Sequence, residues 1–262
     1  MQANFVDLGT LEGPVLLFGG PYSNLQALEA LIAEARRMGI SAENAICTGD
    51  VVAYCGSPAE TTALIRDWGC HVVAGNCEEQ LAVGAADCGC GFEEGTLCDA
   101  LSAEWYAYAS IRIVAEARAW MAGLPKRAVF TADGMRYAVI HGGANKTSRF
   151  LWPGDDKTDE IAALEQLVGP IDAVIGGHCG IAFTEPRWIN AGVIGMPPHD
   201  GRIETEFCVL DGRPTLHRLP YDAEAANAAM TGRASPYAEA LTTGLWPSEE
   251  ILPAALRRRA AA

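Results

Sequence analysis

Cys47-Thr48-Gly49-Asp50 follows an apolar run and places a carboxylate directly after the end of a predicted strand. Two other segments repeat this arrangement, because Gly75-Asn76-Cys77-Glu78 and Gly177-His178-Cys179-Gly180 also follow β-branched apolar residues. A fourth run, Tyr137-Ala138-Val139-Ile140, precedes His141-Gly142-Gly143. In open α/β sheets, ligands collect at the carboxyl ends of the strands. We therefore expect one sheet edge to bring together four candidate metal ligands: Asp50, Asn76, His141 and His178.

Strand and helix signals alternate along the N-terminal two thirds of the chain. Apolar runs predict strands over 14–18, 44–48 and 71–74, and capped amphipathic helices separate them. This β-α-β-α-β order predicts parallel pairing with right-handed crossovers. Later signals predict a hairpin turning at Ala132-Asp133-Gly134. They also predict a helix over 158–168 and strands at 173–175, 188–189, 203–210 and 215–219.

The pattern predicts a single domain over 1–262 with two additions. A Gly- and Cys-rich segment followed by helical segments forms an insert at about 81–124. An Ala-rich tail, predicted to be helical and interrupted by prolines, begins at about 221. With 262 residues, of which 50% are hydrophobic, the chain can bury one large core.

The charge balance restricts the classes of partner. A net charge of −14 argues against a nucleic-acid binder, which needs a basic surface, and against binding to an anionic membrane. A phosphorylated substrate must then be attracted by a metal or by local donors, because the overall field repels it. The N-terminus has no basic region followed by a long apolar segment, so we expect a cytoplasmic protein.

The ordered motifs resemble those of the calcineurin-like metallophosphoesterases of the compact bacterial type. The similarity extends from Val15 to about Leu245 and includes Asn190-Ala191-Gly192-Val193-Ile194-Gly195-Met196-Pro197, which is similar to a turn of that family. The resemblance implies a four-layer α/β/β/α sandwich of two mixed sheets flanked by helices. It also implies a two-metal centre in which Asp50 bridges the metals and Asn76, His141 and His178 complete the second one.

The first metal of the family's pair lacks most of its ligands here. By the same resemblance, Gly20 stands where an aspartate belongs, Tyr22 where a histidine belongs, and Gly180 where the last histidine belongs. Cys77 replaces the histidine that acts as general acid, a role that contributes roughly 10²–10⁴-fold. Two-metal clamping of both reacting oxygens is therefore not expected. We predict one divalent transition metal, with zinc or iron favoured and manganese as a further candidate.

The chain has nine cysteines, a high count for a compartment in which disulfides rarely persist. Metal binding, a reactive thiol and core packing are the explanations to be separated. Cys77 and Cys179 lie next to the predicted ligands and are additional candidates for the metal. Cys88, Cys90 and Cys98, in the insert, are candidates for a small thiolate site or for structural packing.

Three residues are candidates for substrate binding: Tyr22, Arg149 and His199. Two of them also have a structural explanation, because Tyr22 fits a gate or packing role and Arg149 fits an ordinary surface cation. The same holds for the ligands, since asparagine after glycine commonly forms turns and a lone histidine is often part of a core. The metal interpretation depends on the four ligands occurring together.

These observations predict a divergent metal-dependent hydrolase that acts on a small phosphomonoester or phosphodiester. A homodimer is one candidate for its assembly. The residues predicted to carry catalysis are Asp50, Asn76, Cys77 and His141. One alternative is an inactive relative that binds a metal or ligand as a sensor or scaffold. Another is a thiol-assisted redox metal protein.

Overall fold

The computed structural model describes residues 5–230 and 235–257. The strands are β1 Val6–Thr10, β2 Val15–Phe18, β3 Ala45–Cys47, β4 His71–Val72, β5 Arg127–Ala132, β6 Met135–Ile140, β7 Ala173–Gly176, β8 Phe183–Glu185, β9 Trp188–Asn190, β10 Thr205–Asp211 and β11 Arg213–Leu219. The helices are α1 Leu25–Arg37, α2 Pro58–Trp68, α3 Asn76–Val83, α4 Leu97–Ser110, α5 Ala115–Ala122, α6 Thr158–Val168, α7 Ala223–Ala228 and α8 Pro236–Thr243.

The strands form two mixed sheets. One has the order β1-β5-β6-β7-β9-β8, in which β6, β7 and β9 are parallel. The other has the order β11-β10-β2-β3-β4, in which β2, β3 and β4 are parallel. Antiparallel hairpins, β5–β6 and β10–β11, extend the parallel parts. The parallel strands are those that carry the predicted ligands at their ends.

Three apolar clusters bind the layers together. The central cluster joins the facing sides of the two sheets, with Leu17 and Ile46 from one and Phe130 and Ile175 from the other. A second cluster packs the outer face of the five-stranded sheet against α1, α2, α7, α8 and the insert. The third packs the outer face of the six-stranded sheet against α6. The predicted four-layer α/β/β/α sandwich is therefore confirmed.

Most element predictions agree with the structure to within a few residues. The helix over 158–168 coincides with α6, and the Asp133-Gly134 turn joins β5 to β6 with both residues at positive φ. The strands β1 and β8 are not anticipated by the sequence patterns. Both lie at an edge of the six-stranded sheet, where β1 is largely exposed and lacks a continuous apolar run.

The insert and the tail meet near the carboxyl ends of the parallel strands. The insert contributes α4 and α5, with α3 leading into it, and the tail contributes α7 and α8. Residues 231–234 and 258–262 of the predicted helical tail lie outside the described residues. The segment that follows α8 crosses the same edge of the sheets, so the insert and the tail both border the candidate site.

Candidate metal centre

Four elements bring the predicted ligands to one place. Asp50 follows β3 and Asn76 is the first residue of α3, whereas His141 follows β6 and His178 follows β7. The site thus lies where the strand ends of both sheets meet. Asp50 adopts a left-handed conformation with φ +54°. Gly75 permits its close approach, because a Cβ at that position would lie 2.2 Å from Asp50 Oδ1.

The four side chains converge on the Nε2 atom of His141. That atom lies 3.2 Å from Asp50 Oδ2, 3.1 Å from Asn76 Oδ1 and 2.9 Å from His178 Nδ1. One ligand atom each from Asp50, His141 and His178 falls within 4.8 Å of the others, which is the spacing of a potential metal group. All four side chains are buried.

Hydrogen bonds on the far side of two ligands determine which atoms face the centre. His141 Nδ1 lies 2.7 Å from the carbonyl oxygen of Thr48, which only accepts, so Nδ1 carries a proton and the neutral ring presents a bare Nε2. Asn76 Nδ2 donates to the carbonyl oxygen of Cys88 at 2.9 Å, which turns Oδ1 toward His141. Three acceptor atoms, His141 Nε2, Asp50 Oδ2 and Asn76 Oδ1, therefore face one another. Such an arrangement needs a cation or a proton between them.

A proton on His141 can meet this need in the metal-free protein. Burial lowers the pKa of His141, but the charge and hydrogen bond of Asp50 outweigh it and raise the pKa overall. Burial raises the pKa of Asp50, whereas the charge of His141 lowers it, with a net lowering. Burial and the charge of His141 lower the pKa of His178 to about 3, so that ring is neutral.

A divalent cation fits the same donor set. Two imidazole nitrogens with a carboxylate and an amide oxygen suit transition metals such as zinc, iron or manganese. The Nε2 atom of His178 is buried without a hydrogen bond of good geometry among the described residues, although the Cys90 backbone lies near enough to raise its pKa slightly.

Glu78 secures the backbone of this centre. Its carboxylate accepts from the backbone N–H of Asp50 at 2.7 Å, Val51 at 2.9 Å and Gly75 at 2.9 Å, with a weaker contact to Val52 at 3.4 Å. The bond to Gly75 is half of a capping box for α3. Burial and the charge of Asp50 raise the pKa of Glu78, and the N–H donors oppose this. The sequence does not indicate this buried role, because Glu78 stands beside Glu79 as acidic pairs on exposed helices commonly do.

A cavity of about 60 Å³ adjoins the metal centre. Asp50 and His178 form its polar side, and aromatic side chains form most of the remaining wall. The aromatic residues are Tyr22, Tyr54, Phe92, Phe150, Trp152, Tyr237 and Trp246. Tyr237 and Trp246 belong to the tail. Sequence reasoning did not identify Tyr54, Tyr237 or Trp246, because the tail folds back over the site through long-range contacts that leave no local signal.

Aromatic and aliphatic groups fill the space next to Gly20 and Gly180. A Cβ on Gly20 would lie 2.6 Å from the ring of Tyr22 and 2.7 Å from Val193. A Cβ on Gly180 would lie 3.5 Å from the ring of Trp246. The side chains that would replace these glycines in the resembling family therefore have no free space at Gly20 and a tryptophan against them at Gly180.

The cysteine side chains have neighbours other than the ligand atoms. Cys77 Sγ lies 3.5 Å from Asn76 Nδ2 and packs in the cluster that holds Trp105, outside the residues that line the cavity. Cys179 Sγ accepts from Asn190 Nδ2 at 3.2 Å and donates to the carbonyl oxygen of Ile181 at 3.7 Å. Burial raises the pKa of both thiols, that of Cys179 to about 12.

The insert cysteines divide into a bonded pair and a free thiol. Cys88 and Cys90 form a disulfide, so neither offers a thiolate to a metal. This differs from the expectation that the cysteines of this chain are free thiols. Cys98 is free and lines the cavity. The carbonyl of Cys88 orients Asn76, which links the insert to the metal centre.

Two candidates for substrate binding lie away from the cavity. Arg149 forms an ion pair with Glu160, its side chain is largely exposed, and it is not among the cavity residues. His199 Nε2 lies 2.7 Å from Glu249 Oε1, and its Nδ1 accepts from the backbone N–H of Trp246 at 2.7 Å. His199 thus holds the tail segment in place. Tyr22 does line the cavity, beside Asp50.

Within the described residues, no helix is long and apolar enough to cross a membrane. Among solved structures, a metallophosphoesterase from Sphaerobacter thermophilus matches with a TM-score of 0.69 and 19% identity, over 90% of this chain and 100% of that chain. A hypothetical protein from Pyrococcus horikoshii OT3 matches with a TM-score of 0.71 and 17% identity, over 91% and 99%. At these identities the likeness is one of fold.

Sequence comparison gives a shorter match and a family match. An uncharacterized protein of Methanocaldococcus jannaschii is 42% identical over 55 residues, which are 21% of this chain and 22% of that protein, so the matched segment spans about a fifth of that relative. The model of the calcineurin-like phosphoesterase superfamily domain matches residues 23–213, well over half of the chain. The chain belongs to the calcineurin-like phosphoesterase superfamily.

Proposed function

We propose that this protein hydrolyses a small phosphomonoester or phosphodiester with a single divalent metal ion. The observation that carries the proposal is the convergence of three potential ligand atoms, from Asp50, Asn76 and His178, within 3.2 Å of His141 Nε2, in a buried site beside a cavity. Asp50, Asn76, His141 and His178 would hold the metal. A divalent cation bound there supplies Lewis-acid polarisation of a phosphoryl oxygen and of a water molecule.

The surrounding residues prepare the site before any ligand binds. Thr48 and Cys88 fix the orientations of His141 and Asn76 through the hydrogen bonds described above. Such outer contacts commonly contribute 10–100-fold to metal affinity or activity. The aromatic wall excludes bulk water, which strengthens the electrostatic contacts inside. Tyr22 lines the cavity next to Asp50, and burial with the charge of Asp50 raises its pKa, so its neutral hydroxyl offers a hydrogen bond to the substrate.

A one-metal centre is supported by the side chains around Gly20 and Gly180. Tyr22, Val193 and Trp246 lie where ligands of another metal would project, and none of the three is a good metal ligand while the phenol is neutral. The thiol-assisted redox alternative has less support, because Cys77 and Cys179 direct their sulfur atoms to amide and carbonyl groups. A cytoplasmic location and a homodimer remain predictions from the sequence.

The test combines metal content with turnover. Protein purified without added metal is analysed for metal equivalents per chain and assayed on a generic aryl phosphodiester with zinc, iron(II) and manganese(II). We expect one equivalent and turnover, and His178→Ala should lower both turnover and metal content, by roughly 10²–10³-fold in rate if the Lewis acid contributes several kcal/mol. His71→Ala, whose ring contacts the Glu43 carbonyl far from the centre, is the matched control. Absence of turnover with every metal would favour the scaffold alternative.

A further inference from the structure

The cavity beside Asp50 is mostly aromatic. Among the residues that line it, none is a lysine or an arginine, and Asp50 is the one carboxylate. Lys146 influences His178 electrostatically but is exposed on the surface outside the lining. A phosphate group alone would find no cationic side chain on this wall. The wall instead has the composition of sites that recognise organic cations.

We propose that the cavity binds a quaternary ammonium group, and that the substrate is a phosphoester whose alcohol carries such a group. The part of this inference that concerns the substrate rests on the proposed hydrolase function. The part that concerns the cation rests on the cavity alone.

The aromatic rings form two groups around the cavity. In the first, Tyr54 packs against Tyr22 with ring centroids 4.7 Å apart and against Tyr237 with centroids 4.5 Å apart. In the second, Phe150 lies 4.3 Å from His178 and stacks on Trp152 at 5.5 Å. Aromatic faces carry negative electrostatic potential, and desolvated rings attract ammonium groups most strongly. Tyr22, Trp152 and Tyr237 are buried and satisfy that condition, whereas Tyr54 and Phe150 are half-buried.

The position of Asp50 gives the cation a charged partner. Its carboxylate faces the metal centre on one side, and on the other it lines the cavity together with Tyr22 and Tyr54. The tyrosine rings and Trp246 occupy the region where the family resemblance implies a further metal cation. An organic cation therefore balances the same carboxylate through contacts that need no metal ligands.

The size of the cavity agrees with this occupant. About 60 Å³ corresponds to roughly four to six water-sized positions. A trimethylammonium group has one nitrogen and three carbons and is compatible with that space, whereas a nucleotide base with its sugar is much larger. Hydrolysis of such an ester forms a bond from the water oxygen to phosphorus, breaks the phosphorus–oxygen bond to the alcohol, and transfers a proton to the departing alcohol oxygen.

The first experiment measures binding without catalysis. Choline and its neutral carbon isostere, 3,3-dimethylbutan-1-ol, are titrated into metal-free protein by calorimetry, and the titrations are repeated with zinc-loaded protein. We expect choline to bind at least about tenfold more tightly than the isostere, because the two differ mainly in charge. Equal affinities, or tighter binding of the neutral alcohol, would overturn the proposal.

Matched variants then assign the effect to the aromatic faces. Tyr237→Phe keeps the ring and should retain choline affinity within about twofold, whereas Tyr237→Leu removes the ring and should weaken it by roughly tenfold. Thermal unfolding and zinc binding confirm that both variants are folded. If the phenylalanine and leucine variants bind choline equally, the proposal is wrong for this wall of the cavity.

The two proposals fail in different ways. Turnover of an aryl phosphodiester without selective choline binding leaves the hydrolase and removes the cation site. Selective choline binding without turnover under any metal leaves the cation site and removes the hydrolase. If both hold, phosphocholine esters should be hydrolysed with a lower KM than the matching esters of 3,3-dimethylbutan-1-ol.

Discussion

Two regions of the site share Asp50 and differ in almost everything else. On one side, Asp50 meets Asn76, His141 and His178 in a polar cluster with fixed hydrogen bonds. On the other side, glycines at 20 and 180 are covered by Tyr22, Val193 and Trp246. The polar side carries the ligand set predicted for one metal, and the aromatic side presents rings and an aliphatic side chain. One carboxylate can therefore serve two kinds of neighbour at one edge of the fold.

The difference indicates that separate physical constraints hold the two sides of the site. The polar side depends on backbone donors and acceptors, such as the Thr48 carbonyl, that the strand ends provide for any sequence with this fold. The aromatic side depends on the tail, which supplies Tyr237 and Trp246 from residues distant in sequence. The following predictions test how independent the two sides are.

The largest expected effect comes from Glu78→Ala in the metal-free protein. The substitution removes the acceptor of three well-formed backbone hydrogen bonds, from Asp50, Val51 and Gly75. Each buried unsatisfied donor costs about 1–3 kcal/mol, so we expect the free energy of unfolding to fall by about 4 kcal/mol. Urea denaturation measures the change.

Glu94→Ala is the matched control for this prediction, because Glu94 is exposed on the insert, and it should change stability by less than about 0.5 kcal/mol. A loss below about 1 kcal/mol in Glu78→Ala would mean that the backbone of the polar side is held by other contacts. The polar side would then differ from the aromatic side only in its side chains, and not in how its backbone is held.

Gly20→Asp restores the family's residue on the aromatic side and should also destabilise the protein. The new Cβ meets the Tyr22 ring at 2.6 Å and Val193 at 2.7 Å, and φ at this position is +37°. Overpacking and left-handed strain together should cost about 3 kcal/mol. Gly39→Asp, at φ +71° with no atom within 4 Å of its Cβ, isolates the strain and should cost about 1 kcal/mol.

The clash at Gly20 can be confirmed by a second change. Adding Tyr22→Ala to Gly20→Asp should recover part of the lost stability, since the two side chains compete for one space and their effects are not additive. Equal losses of stability for Gly20→Asp and Gly39→Asp would mean that Tyr22 and Val193 move aside at little cost in free energy. A second metal site would then be simple to rebuild.

The polar side of the site was the more predictable from the sequence. Asp50, His141 and His178 each follow an apolar run, and the rule that strand ends converge was enough to place them together. Glu78 was not placed correctly, because one acidic residue beside another on a helix gives no sign that it turns inward. His199 and Trp246 met through the fold of the tail, which local patterns do not encode. The edge strands β1 and β8 were missed for a different reason, because neither contains a continuous apolar run.

Metal binding at the polar side should stabilise the folded protein, and this effect should depend on the predicted ligands and not on histidines elsewhere. A ligand at 100 times its Kd that binds the folded state alone adds about 2.7 kcal/mol, so zinc should raise the melting temperature. His178→Ala should remove this shift, whereas His71→Ala, which alters an exposed contact, should keep it. A shift that survives His178→Ala would place the metal elsewhere. Calorimetric scans with and without zinc measure it.

The smallest expected effect is that of Cys179→Ser, which separates thiolate ligation from packing at the border of the two sides. The thiol accepts from Asn190 Nδ2 at 3.2 Å and donates to the Ile181 carbonyl at 3.7 Å, and a serine hydroxyl can make both contacts. We expect a stability change of less than about 1 kcal/mol and an unchanged number of metal equivalents. A metal thiolate would behave differently, because its replacement by a weaker hydroxyl donor lowers affinity for zinc and similar metals. A loss of metal from Cys179→Ser, measured by elemental analysis, would therefore make the polar side a thiolate centre and join it chemically to the aromatic wall.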